Sequence, residues 1–157
     1  MKLWWLACLS LFFIINITTA QTTDTTSLDE WKETDESYIT LINSIYAFDN
    51  ALIKEDTALL NRLLDDNVEI THSNGWVQQK QDVLGDFADS IVSYENVSME
   101  KLLQVKRQFN ITKIIRNVAV KGQFKTYPFD MKLQVNESWI IDEQNKWKLL
   151  TRKSEKI

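Results

Sequence analysis

The sequence predicts an α+β domain, with about three N-terminal helices packed on one face of a curved, mostly antiparallel sheet of five to six strands. Three observations carry that prediction. Apolar residues recur at three- and four-residue steps through the first part of the chain and again over 80–91, the spacing of one helix face. From Tyr94 onward they alternate instead, as side chains on a half-buried strand do. Helices gathered ahead of a run of strands pack as a layer on the sheet they precede.

Ahead of the domain, Met1–Ala20 has the form of an export signal. Lys2 supplies the positive start, Leu3–Ile17 is uncharged and mostly apolar, and Thr18 and Ala20 put small residues at −3 and −1, so cleavage is expected before Gln21. The run is shorter than the roughly 20 residues of a comfortable membrane span, and no second one follows. A lipoprotein signal would need its cysteine at the end of the apolar run, whereas Cys8 lies near its start with Trp4-Trp5-Leu6-Ala7 before it. The expected product is secreted or periplasmic, with no membrane contact after cleavage. It has no cysteine, which excludes disulfides and thiol chemistry. Losing Lys2 from the 18 basic residues leaves 17 against 22 acidic ones, a net charge of −5. With no basic run, that balance argues against nucleic acid as a partner.

Gln21–Ser27 is Thr-rich and without period, a flexible lead-in to a domain over 28–157. Ser27-Leu28-Asp29-Glu30 has the spacing of a capping box. Helix 1 is expected over Leu28–Lys54, with Tyr38, Leu41, Ile45, Phe48 and Leu52 on one stripe. Asp56 can cap a short second helix, Thr57–Leu64. The period then becomes two: Val68, Ile70 and His72 share one strand face, Ser73-Asn74-Gly75 turns, and Trp76-Val77-Gln78 returns. Lys80–Ile91 is the third helix. Val97, Met99, Leu103, Val105, Phe109, Ile111 and Ile115 all fall on odd positions, in one long bent strand or two in the same phase. Arg116-Asn117 reads as a turn and Tyr127-Pro128 as a break, with Val118, Val120 and Phe124 between them. Met131, Leu133, Val135, Trp139 and Ile141 form the next strand, and Trp147, Leu149 and Thr151 open the last.

Several segments carry a resemblance. Asp49-Asn50-Ala51-Leu52 is followed by Glu55-Asp56-Thr57-Ala58-Leu59-Leu60 and Leu63-Leu64-Asp65-Asp66-Asn67-Val68. Thr71-His72-Ser73-Asn74-Gly75 comes next, with Lys80 behind it, then Asn117-Val118-Ala119-Val120-Lys121-Gly122, Trp139-Ile140 and Lys146-Trp147-Lys148-Leu149-Leu150. In this order they resemble the nuclear-transport-factor-2-like (NTF2-like) superfamily, which includes ketosteroid isomerases and SnoaL-like cyclases, and most closely the domain of unknown function DUF4440. The resemblance covers about Tyr38–Ser154. It implies a cone closed by the helices, an interior pocket and often a homodimer through the sheet. It does not imply a reaction.

Strand phase nominates the site. His72, the only histidine, shares a face with Val68 and Ile70; Glu137 shares one with Val135 and Trp139; Lys153 follows Trp147, Leu149 and Thr151. Ionisable groups on apolar strand faces are acid–base candidates, because burial shifts their pKa toward neutrality unless they pair. His72 and Glu137 are therefore the candidate catalytic pair, and a Glu137–Lys153 cross-strand ion pair is the structural alternative. Tyr46, Trp76, Trp139 and Lys153 are the candidate ligand contacts, with Trp147 closer to core. Tyr and Trp offer apolar area with one polar handle, suited to a small hydrophobic or aromatic ligand. A single histidine rules out the usual zinc spacings, three glycines leave no phosphate loop, and no nucleophile elbow appears. The expectation is a cofactor-free domain, either a binding module or an acid–base isomerase, lyase or hydrolase. Protein recovered after export should have an intact mass corresponding to a chain starting at Gln21; the mass of the whole 157-residue chain would refute the cleavage reading.

Overall fold

The computed structural model describes residues 35–157, so the expectations for the export signal, the lead-in and the Ser27–Glu30 capping box lie outside the described residues. Helices α1 (Glu36–Ile53), α2 (Thr57–Leu63) and α3 (Lys80–Ala88) pack on strands β1 (Leu64–Thr71), β2 (Val77–Gln78), β3 (Val92–Gln108), β4 (Ile111–Phe124), β5 (Tyr127–Ile141) and β6 (Trp147–Lys156). The six strands form one sheet in the order β2-β1-β6-β5-β4-β3. Only the β1–β6 pair is parallel; the other neighbours are antiparallel. The predicted fold class is the observed one.

The helices form where their stripes can be buried. Leu41, Ile45, Phe48 and Leu52 of α1 are buried, as their spacing requires, and so is Asp49 beside them. The Asp56 carboxylate caps α2, accepting the Leu59 N–H at 2.9 Å. Helix α3 ends at Ala88, three residues before the predicted Ile91. Ser90 takes a φ of 55°, and the Ile91 N–H returns to the Asp86 carbonyl at 2.8 Å, a Schellman closure made without glycine. Glu55 closes α1 in the same way, with φ 54° and the Asp56 N–H on the Ala51 carbonyl. Lys80, buried at the start of α3, fixes that helix to β1 through the Leu64 carbonyl and Asp66.

The second half of the sheet corrects the predicted phase. Arg116-Asn117 is not a turn: it lies mid-way along β4, paired with Val135 and Gln134 of β5. The turn falls at Phe109-Asn110, where Phe109 has φ 55° and is 78% exposed. Strand β3 changes face three times, at register shifts between Tyr94 and Asn96, Met99 and Lys101, and Leu102 and Gln104. An extra residue on one strand flips every side chain after it. Hence Val97 is buried and Leu102 and Val105 pack on the core, while Leu103 is exposed. On β4 the buried positions are the even ones, Thr112, Ile114, Arg116, Val118 and Val120, so Ile111 and Ile115 lie on the opposite face. The break placed at Tyr127-Pro128 occurs instead at Lys125-Thr126, and Pro128 is the second residue of β5, opposite Gln123.

Gly122 marks a close approach at the first of these shifts. A Cβ there would lie 2.1 Å from the Ser93 carbonyl oxygen and 2.8 Å from the Phe129 ring. The Gly122→Ala substitution is expected to destabilise the domain by roughly 1–3 kcal/mol, as overpacking does. Urea denaturation checks this; an unchanged midpoint would mean β3 gives way freely.

Candidate functional site

The concave face of the sheet and the helices enclose a cavity of about 320 Å³. Its walls are largely apolar: Phe48 and Leu52 from α1, Phe87 from α3, Val97 from β3, and Phe124 and Phe129 from the β4–β5 end. Tyr94, His72, Gln78, Asp86 and Arg152 add polar groups. Such a shape, apolar with a few placed polar atoms, is that of a small-molecule site.

His72 follows β1, and the Asn74-Gly75 turn folds Trp76 back over it. The two rings stack at 4.9 Å and 19°, and Trp76 meets the Phe124 ring edge-on at 5.9 Å. The turn is closed by the His72 N–H on the Trp76 carbonyl, with Gly75 at φ 86°. A polar relay then sets the imidazole. Gln78 Nε2 donates to Asp86 Oδ2 at 2.8 Å, so Gln78 Oε1 faces His72 Nε2 at 2.7 Å. A carboxylate and an amide oxygen can only accept. His72 Nε2 must therefore carry the proton and Nδ1 the lone pair. Burial pushes the His72 pKa down from its ordinary 6.5; the Gln78 bond opposes this and the nearby Arg152 charge adds to it. The ring is a neutral base near pH 7.

Below the cavity lies an ion network. Arg116 donates from Nη1 and Nη2 to the two oxygens of Asp49, at 2.5 and 2.8 Å. It donates from Nε and Nη2 to the two oxygens of Glu137, at 3.2 and 3.0 Å. Glu137 also accepts from Arg152 Nη1 and from Trp139 Nε1. Two guanidiniums and two carboxylates thus balance where all four are buried, the condition under which buried charge is tolerated. Each Glu137 oxygen takes two donors, which fills its lone pairs. Burial raises the Glu137 pKa, but the Arg116 and Arg152 charges and the hydrogen bonds from Arg116 and Trp139 outweigh it and hold the carboxyl below its ordinary 4.5. Burial likewise disfavours the charged Arg116, and the two carboxylates more than restore it. Glu137 is an ionised anchor with no lone pair to spare for proton transfer.

Several sequence expectations are thereby relocated. His72 and Trp76 line the cavity together. Glu137 faces inward but beneath the cavity floor, and Trp139 is wholly buried beside it, edge-on to Phe48 at 6.3 Å. Tyr46 lies on the outer side of α1, 48% exposed, because α1 turns its Ile45–Phe48–Leu52 stripe to the sheet. Lys153 points outward and pairs with Glu155 at 2.9 Å. The cause is a bulge: Trp139 pairs with Leu149 and Ser138 with Thr151, leaving Leu150 as the extra residue. The phase begun by Trp147 and Leu149 therefore continues through Arg152 and Ser154, and Glu137 finds Arg152 as its partner where Lys153 was expected. Trp147 is core, donating from Nε1 to Thr40 Oγ1 at 3.1 Å. Sequence reasoning missed Arg116, Asp49 and Arg152. A signal existed for two of them: Asp49 is four residues after Ile45 on the apolar stripe, and Arg116 is in step with Ile114 and Val118.

With this geometry the chain is similar to several solved structures. An NTF2-like protein from Cytophaga hutchinsonii superposes with a TM-score of 0.72 at 14% identity, covering 78% of this chain and 99% of that one. An NTF2-like protein of unknown function in nutrient uptake from Rhodospirillum rubrum gives 0.70 at 17% identity, over 74% and 98%. A ketosteroid isomerase-like protein from Erwinia carotovora atroseptica gives 0.63 at 10%, over 78% and 98%. No family model and no curated protein sequence matches the chain. The fold is NTF2-like.

The lowered pKa of Glu137 has a stability consequence. A depressed carboxylate stabilises the folded state above its ordinary value of 4.5, and that stabilisation is lost as pH falls through the lower folded value. Glu137→Gln should cost about 3 kcal/mol at neutral pH and should lose less further stability than the wild type on acidification to about pH 3. Urea denaturation at both pH values tests this. Equal acid losses in the two proteins would assign the acid sensitivity to other carboxylates.

Proposed function

We propose that this NTF2-like fold is the receptor part of an exported protein, binding one small hydrophobic or aromatic molecule in the cone cavity. The observation that carries the reading is the cavity itself: about 320 Å³, walled by Phe48, Phe87, Phe124 and Phe129 and capped by the stacked His72–Trp76 pair. A dry apolar cavity of about 150 Å³ accepts benzene, so this one suits a ligand of about a dozen non-hydrogen atoms. The spent carboxylate of Glu137 supports binding over catalysis, because it removes the stronger acid–base candidate. The segments Thr71–Gly75 and Asn117–Gly122 support a place within the fold near the DUF4440 and SnoaL-like groups, and the Met1–Ala20 segment supports export.

A second reading rests on one observation: His72 Nδ1 is the basic nitrogen of a neutral imidazole at the cavity wall. A neutral histidine beside an apolar site is a competent general base, so a cofactor-free isomerase or lyase is the alternative. Ligands that bind and emerge chemically changed, with the change abolished by His72→Gln, would establish it.

A thermal-shift screen of hydrophobic metabolites against the mature protein tests the first reading. Ligand at a hundredfold over Kd adds about 2.7 kcal/mol, a rise of several degrees in Tm for a domain of this size. Met131→Trp, which fills the cavity from β5, should abolish the shift, whereas Tyr46→Ala on the outer face should leave it intact. Equal shifts in both variants would place the ligand outside the cone.

A further inference from the structure

We infer that the cavity's ligand is a carboxylate, gripped by the free edge of Arg152. The inference rests on the pocket reading above and names its chemistry. A guanidinium has two forked edges, one made by Nη1 and Nη2 and one by Nε and Nη2. Arg116 uses both: the first on Asp49, the second on Glu137. Arg152 spends only Nη1, on Glu137. Its Nε–Nη2 edge, the edge by which Arg116 holds a carboxylate, has no protein partner among the described residues.

That edge is open to the cavity. Among the described residues, Asn117 Oδ1 is the only buried side-chain polar atom without a partner, so the spare Arg152 donors are not sealed in protein. Arg152 lines the cavity, and its guanidinium lies over the Phe48 ring at 5.5 Å. The Phe48 face and the bond to Glu137 fix the plane of the group before any ligand arrives. A fixed planar fork matches two carboxylate oxygens better than one carbonyl oxygen.

The charge of the lining agrees. Asp86, the lining's one carboxylate, is already engaged by Gln78, and Lys156, the lining's other cation, is exposed to solvent. The apolar wall of Phe87, Phe124 and Phe129 then receives the body of the acid. The ligand class is a small aromatic or alicyclic carboxylic acid of about a dozen non-hydrogen atoms.

Calorimetry with matched pairs decides the matter: phenylpropanoate against phenylpropanamide, and cyclohexanecarboxylate against its amide, with the mature wild-type protein at neutral pH. The acids are expected to bind about tenfold or more tightly than the amides, the worth of a charge-assisted hydrogen bond over a neutral one. Arg152→Met should reduce each acid to the affinity of its amide and leave the amide unchanged; Lys156→Gln should keep the preference. The wild-type and Lys156→Gln arms decide the question even if Arg152→Met fails to fold. Equal affinity for acid and amide would overturn the carboxylate inference, and a preference that vanishes in Lys156→Gln would overturn the Arg152 grip; either result leaves the pocket reading standing. Failure of all four compounds to bind at millimolar concentration would overturn the pocket reading with it.

Discussion

Arg116 is the constraint on which the rest depends. Its guanidinium joins α1 through Asp49 to β5 through Glu137, and Glu137 passes the connection to β6 through Arg152. Helix and sheet are therefore fixed to one another by directional bonds as well as by apolar contact. An apolar interface of Leu, Ile and Val could settle in several rotations of the helix. A two-forked cation between two carboxylates admits one, because any other leaves an unpaired charge in the core. The network's donors are also nearly all spent: four donors on Glu137 and four bonds from Arg116 leave the far edge of Arg152 as the open guanidinium fork. The chemistry available to the cavity comes from that edge and from the His72 relay.

The cavity exists because the cone is filled at one end only. Around the network, Phe48, Trp139, Leu149 and Trp147 are buried at the α1 side. Towards α3 and the β1–β2 hairpin the walls part, and aromatic rings line the space without closing it. Phe48 belongs to both regions, one side against Trp139 and one beneath Arg152. The polar groups at the mouth are ordered by short-range contacts: the Gly75 turn brings Trp76 onto His72, and the Gln78–Asp86 bond selects the imidazole tautomer. None of these needs a ligand to set it.

Much of this was legible in the chain. The helical stripe of α1, the Asp56 cap, the Asn74-Gly75 hairpin and the inward phases of β1 and β5 follow from period and turn chemistry alone. What escaped shares one physical cause. A strand's inward set can be read from alternation only while the count is unbroken, and bulges in β3 and β6 break it. So an unbroken count puts Leu103 and Lys153 inside, although they face out, and passes over Arg152, which faces in. Arg116 was lost differently: a charge amid apolar neighbours suggests a turn until the carboxylates that neutralise it, 67 and 21 residues away in the chain, are in place. No local pattern carries those separations.

The bulge at Leu150 also divides β6 into two stretches with different histories open to them. Trp147 and Leu149, before it, serve only the sealed end of the cone; Ser154, after it, serves only the cavity wall. Arg152 alone answers to both. Lineages descended from such a chain can exchange wall residues without loosening the fold, and can repack the sealed end without reshaping the cavity. A change at Arg152 does both at once. The shape of the cavity is free to drift at the rim and is pinned at the floor.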